Sequence, residues 1–177
     1  MQSKSLILLI IIGIAIIAGI IVLLDHHGNN SNGEVVVMGV NEYINDGIYE
    51  KNYTTHEFFL DFRSLKPGDI LILKDSLCQE PKYDFDNVTK LYVTRLTMCS
   101  PGNSSWPIVI YVNKDVTDKY KMGDIIEVKL HIKHYDFKEE WNGEIWHIYG
   151  ELPEEAIING KYSGEIVVPP SQVKKVG

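Results

Sequence analysis

One stretch constrains this chain more than any other: Leu6–Leu24, LILLIIIGIAIIAGIIVLL, 19 residues with no charge, no polar side chain and no proline. As a helix it would measure roughly 28 Å, about the hydrocarbon thickness of a bilayer. A helix buried in a soluble core rarely stays apolar on every face for so long. A cleaved signal peptide has a shorter apolar region, roughly 7–15 residues, ending at a small-x-small site. Here the run exits through Ile21-Val22-Leu23-Leu24-Asp25-His26, with no such site. The expectation is an uncleaved transmembrane helix over 6–24, preceded by a cytoplasmic N-terminus (1–5). A flexible Gly/Asn/Ser-bearing linker (25–33), one β domain (34–168) and a C-terminal tail (169–177) would follow.

Lys4 precedes the run, whereas Asp25, His26 and His27 follow it. By the positive-inside rule, everything after residue 24 is expected outside the cell, on a single-pass cell-membrane protein whose lipid partner is the bilayer around 6–24. The acceptor triplets at Asn29, Asn52, Asn87 and Asn103 all follow the run, as glycosylation on an exterior face would require. Cys78 and Cys99 form no CxxC and are too few for a thiolate zinc site. In an oxidising compartment they would pair, a cross-link worth about 3 kcal/mol; two buried free thiols are the alternative.

Charge narrows the partners. The net charge is −7, and without Lys4 sixteen basic residues face 24 acidic ones. Nucleic acid and anionic lipid surfaces call for a basic face, so no nucleic-acid partner is expected.

After residue 33 the pattern is β. Val35–Val40 is a β-branched run, and Asn45-Asp46-Gly47 reads as a hairpin turn into Ile48–Tyr53. His56–Phe62, Ile70–Leu73, Lys90–Thr97 and Pro107–Val112 are further strands, with Lys74–Asn87 and Cys99–Trp106 as loops. In Ile125–Ile132 apolar residues alternate with Glu127, Lys129 and His131, and Asn142-Gly143 turns that strand into Glu144–Leu152. No stretch after residue 24 has helical periodicity over ten residues. The fold class expected is one transmembrane helix followed by a mainly-β domain.

Strand order over Leu65–Leu152 resembles an OB-fold barrel: three strands, a short irregular link at Asp115–Tyr120, a Gly-Asp-Ile-Ile-Glu-Val strand and a last strand at Ile145–Tyr149. An immunoglobulin-like sandwich using the earlier strands is the alternative. The resemblance implies an oligonucleotide or oligosaccharide surface, and the acidic charge speaks against the first. Aromatics at Tyr92, Trp106, Tyr111, Tyr135, Trp141, Trp146 and Tyr149 serve as core or surface-strand residues in this reading. His131-Ile132-Lys133-His134-Tyr135 also has the His-x-x-x-Tyr spacing of the membrane-anchored haem chaperone family of cytochrome c maturation. In that family the motif follows the barrel; here it sits inside a predicted strand.

For catalysis the chain offers no Gly-x-Ser-x-Gly elbow, no phosphate-cradling glycine loop and no cysteine in a catalytic setting. His131, His134 and His147, with Asp136, could ligate zinc or copper if their side chains shared a face. Strand parity sets His131 and His134 on opposite faces unless a bulge intervenes. Two functions follow. The first is a non-catalytic binding or envelope-assembly module with a protein or glycan partner outside the cell and no cofactor. The second is an envelope metal- or haem-handling protein using the histidines around His131.

Overall fold

Side-chain alternation shapes the domain. The structure, a computed structural model, describes residues 33–101 and 103–176. In strand β8 (Ile125–Trp141) the side chains of Ile126, Val128, Leu130 and Ile132 are fully buried while their odd-numbered neighbours are not. Past Lys133 and His134, both exposed, the pattern inverts, and Tyr135, Phe137, Glu139 and Trp141 become the more covered set. Because successive side chains point to opposite faces, the two halves of β8 bury opposite faces against different clusters.

The first half packs into the main core with Leu71, Leu73, Leu96, Met98, Ile110 and Val168. The second half packs against a smaller aromatic cluster built on Phe58, Trp146, Ile148 and Leu152.

Ahead of β8 lie β1 (Val35–Met38), helix α1 (Val40–Asp46), β2 (Gly47–Asn52), β3 (Glu57–Phe62), β4 (Ile70–Leu77), β5 (Lys82–Asp86), β6 (Leu91–Ser100) and β7 (Asn103–Val112). After it come β9 (Glu144–Pro153), the short pair β10 (Ile157–Ile158) and β11 (Lys161–Tyr162), β12 (Ile166–Val168) and β13 (Val173–Lys175). The main sheet runs β12-β7-β6-β4-β8-β9-β3-β2, with β1 added to β4, β13 to β8 and β5 to β6.

The barrel expected from strand order does not close. The five strands pair in the order β7-β6-β4-β8-β9, but at the two ends β7 pairs in parallel with β12 and β9 in parallel with β3. A cavity of about 350 Å³ lies in the seam between β7 and β9, lined by Ile108, Tyr111, Leu152 and Ala156 and covered by Tyr43 and Phe62.

The membrane reading is corrected as well. Among the described residues no helix is long and apolar enough to cross a membrane, and α1 has seven residues where a span needs about 20. The run over 6–24 lies outside the described residues, as does most of the 25–33 linker. The expectation rests on hydropathy and length, with Lys4, the acceptor asparagines and the cysteine pair for orientation. The structure supports a mainly-β domain and does not support a single-pass anchor or the localisation drawn from it.

Locally, Asn45-Asp46-Gly47 is not a hairpin turn but the end of α1. Glu42 Oε2 accepts from the backbone N–H of Gly39 at 2.9 Å, while Val40 and Asn41 donate theirs to Asp75 and Ser100 at 3.1 and 3.0 Å. Those partners lie far along the chain and supply the capping that a short helix needs. β1 then runs parallel to β4, and β2 pairs with β3.

The supposed loop 74–87 holds the end of β4 and all of β5. The other supposed loop, 99–106, holds the end of β6 and the start of β7. The hairpin at Asn142-Gly143 forms as expected, with both residues at positive φ, 53° and 84°. Cys78 and Cys99 form a disulfide with Cα atoms 5.7 Å apart, joining the end of β4 to β6.

Candidate binding site

The expected histidine site disperses. His131 Nδ1 lies 2.7 Å from Glu155, His134 Nδ1 3.1 Å from Glu151, and His147 Nε2 2.9 Å from Asp136. His131 and His134 lie on opposite sides of the parity switch in β8. His134 and His147 are four ladder positions apart, roughly 13 Å. Among the described residues no group of three ligating side chains gathers, so the zinc or copper site does not assemble. Tyr135 faces the aromatic cluster, its ring 6.2 Å from Phe137, whereas His131 is held by Glu155.

Of the acceptor asparagines, Asn29 lies outside the described residues. Asn52 is exposed at the end of β2, where its Oδ1 accepts from the N–H groups of Thr54 and Thr55. Asn87 is exposed in the β5–β6 turn, and Asn103 opens β7 rather than a loop.

What the fold does bring together is aromatic. β2, β3, β9 and the second half of β8 form one face, because Lys51 pairs with Phe58, Phe58 with Ile148, and Ile148 with Phe137. On it the Phe58 ring lies 5.1 Å from Tyr49, 5.6 Å from Trp141 and 5.4 Å from Tyr162. Trp141 and Trp146 are 5.5 Å apart, and Tyr53 meets Trp146 edge-on at 5.6 Å. Such contacts contribute about 0.5–1.5 kcal/mol each beyond the area they bury.

The close parallel approach of β3 depends on Gly150, whose φ is +123° and where a Cβ would lie 1.6 Å from the Leu60 carbonyl oxygen. The β10–β11 pair brings Tyr162 over the face. There the Tyr162 backbone N–H donates to Glu139 at 3.0 Å, and burial pushes its phenol up to about 12, leaving a neutral hydroxyl.

This face opens as a groove of about 560 Å³ lined by Tyr49, Lys51, Glu140, Trp141, Asn142 and Tyr162, among others. A second depression of about 430 Å³ reaches Lys51 from the other side, past Glu50, Tyr53 and Glu57. Between them Lys51 Nζ lies 4.9 Å from the centroid of Tyr53, 5.4 Å from Trp141 and 4.8 Å from Trp146. Three ring faces thus surround one ammonium within cation–π range.

The sequence reading names Trp141 and Trp146 but passes over Lys51, Tyr53, Phe58 and Tyr162. A cue was present in the aromatic density of residues 49–62, which hold two tyrosines and three phenylalanines, and in the hairpin of β8 and β9, which bears two of the three tryptophans. A fully apolar core strand would not carry Lys51 at an inward position. No family model matches the chain, and no curated protein matches it in sequence.

Proposed function

We propose that this chain is a non-catalytic binding module whose recognition surface is the aromatic groove between the β2 edge and the β8–β9 hairpin. One observation carries the reading: Trp141 stands half-buried at the groove, in ring contact with Phe58, Trp146 and Tyr162, with Glu140 and Asn142 beside it. Rigid rings with adjacent carboxylate and amide groups suit a protein or glycan partner. The rings take apolar faces, and the polar groups set orientation. Support for a non-catalytic role comes from the histidines, each engaged with its own carboxylate rather than converging on one point. The strand order β7-β6-β4-β8-β9 supports an opened OB-like barrel as the scaffold, a fold that hosts oligosaccharide binders.

The test is saturation-transfer NMR on the full-length chain with a panel of neutral oligosaccharides and short peptides. At least one class is expected to bind, with the signal lost in Trp141→Ala. Binding untouched by that substitution, or no binding across the panel, would overturn the proposal.

A further inference from the structure

Lys51 itself indicates what the groove takes. It has no ion pair among the described residues, in a chain with an excess of acidic groups, and no oxygen among them accepts from its ammonium. Its charge is balanced by ring faces alone, those of Tyr53, Trp141 and Trp146.

A primary ammonium is a poor occupant of such a site. Its three N–H donors lose water on entering and find no acceptor, a cost that the ring quadrupoles only partly offset. A quaternary or fully methylated ammonium has no N–H to satisfy and spreads its charge over methyl groups that pack flat on rings. Both approaches to the cage are acidic, with Glu140 on one side and Glu50 and Glu57 on the other, so a cation is drawn in and an anion kept out.

Lys51 can also leave. It stands on β2, where among the described residues no strand lies beyond it and no directional bond holds its side chain.

We propose that Tyr53, Trp141 and Trp146 form a binding site for a quaternary or fully methylated ammonium group, occupied by the Lys51 ammonium until such a ligand displaces it. This deepens the binding-module reading and rests on the groove being the recognition surface. An internal occupant lowers apparent affinity by the fraction of time the site is free. If Lys51 fills the cage about nine-tenths of the time, removing it tightens binding about tenfold.

The experiment titrates choline into the full-length chain, followed by tryptophan fluorescence, for the native protein, Lys51→Ala and Lys51→Gln. The neutral isostere 3,3-dimethyl-1-butanol serves as control. The proposal expects saturable quenching by choline, about tenfold tighter in the Lys51 variants, with little response to the isostere and loss of the effect in Trp141→Ala. Either Lys51 variant serves, provided its far-UV spectrum matches the native protein. A folded Lys51 variant that ignores choline, or answers the isostere equally, overturns the site. Should oligosaccharides or peptides bind through Trp141 while choline neither binds nor competes, the ammonium site falls and the binding-module reading stands.

Discussion

His131 and Glu155 meet through a 2.7 Å contact between imidazole Nδ1 and carboxylate Oε1, although 24 residues separate them. The same carboxylate accepts the His131 backbone N–H at 3.0 Å and the Gln172 side-chain N–H at 2.6 Å, and Gln172 also donates to the Lys129 carbonyl at 3.0 Å. One buried carboxylate therefore fastens β8, the 3-10 turn Glu154–Ala156 and the 3-10 turn Pro170–Gln172 that leads into β13. Its arrangement is that of a structural clamp.

Glu155→Leu removes an acceptor from three donors at once and is expected to destabilise the fold by about 1–3 kcal/mol. Urea denaturation measures it. A loss below about 0.5 kcal/mol would be that of an ordinary surface position and would contradict the clamp.

Replacing both Cys78 and Cys99 by serine is expected to cost about 3 kcal/mol, since the bridge closes a loop with a separation of 21 residues. The midpoint of guanidinium unfolding, compared with and without reductant on the native chain, reports the same quantity independently. Agreement between the two assigns the loss to the cross-link itself.

Gly150→Ala sets a methyl group against the Leu60 carbonyl at a backbone angle that side chains rarely adopt. We expect a loss of about 3 kcal/mol or more, concentrated in β2 and β3. Amide exchange resolved along the chain would show protection lost over residues 47–62 and kept over β6 and β7. Uniform loss would mean that the edge strands do not depend on this approach.

Lys175 lies 2.9 Å from the Asp124 carboxylate and holds that carboxyl below its ordinary value of 3.8, with the Lys121 backbone N–H adding a bond at 3.0 Å. A carboxylate whose folded pKa is lowered contributes stability above its unfolded pKa and loses it as pH falls through the folded value. Lys175→Met should therefore lower the melting temperature near neutral pH, with the gap from the native chain closing as pH falls below 3.8 and through the lowered folded value. A gap that persists in acid would assign the effect to lost packing rather than to the ion pair.

In the seam, burial and the neighbouring Asp86 carboxylate push the Glu165 carboxyl up. For a raised carboxyl the sign reverses: its ionised form strains the fold, and the strain is relieved as pH falls through the folded pKa. Glu165→Gln should raise the melting temperature at neutral pH, an advantage that shrinks as pH falls through the raised folded value and is gone below the ordinary value of 4.5, where the native carboxyl is protonated in both folded and unfolded chains. Equal melting temperatures at every pH would show that the charge is fully solvated.

The amino-acid sequence by itself determined where most strands lie, because alternation at period two is a local property. Residues 125–132 show it, while 57–62 and 107–112 are legible as short runs rich in aromatic and β-branched residues. It also determined the Asn142-Gly143 hairpin, since that pair readily adopts two successive positive φ angles, and the disulfide pairing, since two cysteines allow a single partner each. Tertiary structure decided the rest. Helix α1 exists because Asp75 and Ser100 reach it from distant strands, and no periodicity over seven residues announces that. The parallel pairings β1–β4, β3–β9 and β7–β12 join segments far apart in the chain, and they keep the barrel open. Strand parity keeps His131 and His134 on opposite faces, as the sequence implied, and the change of buried face within β8 turns Trp141 toward Phe58. The aromatic cage shares this origin: Lys51 and Tyr53 come from an edge strand and the turn after it, and the two tryptophans from a hairpin some ninety residues later. Each alone reads as an ordinary strand residue, and only the register across β2, β3, β9 and β8 sets one ammonium among three rings.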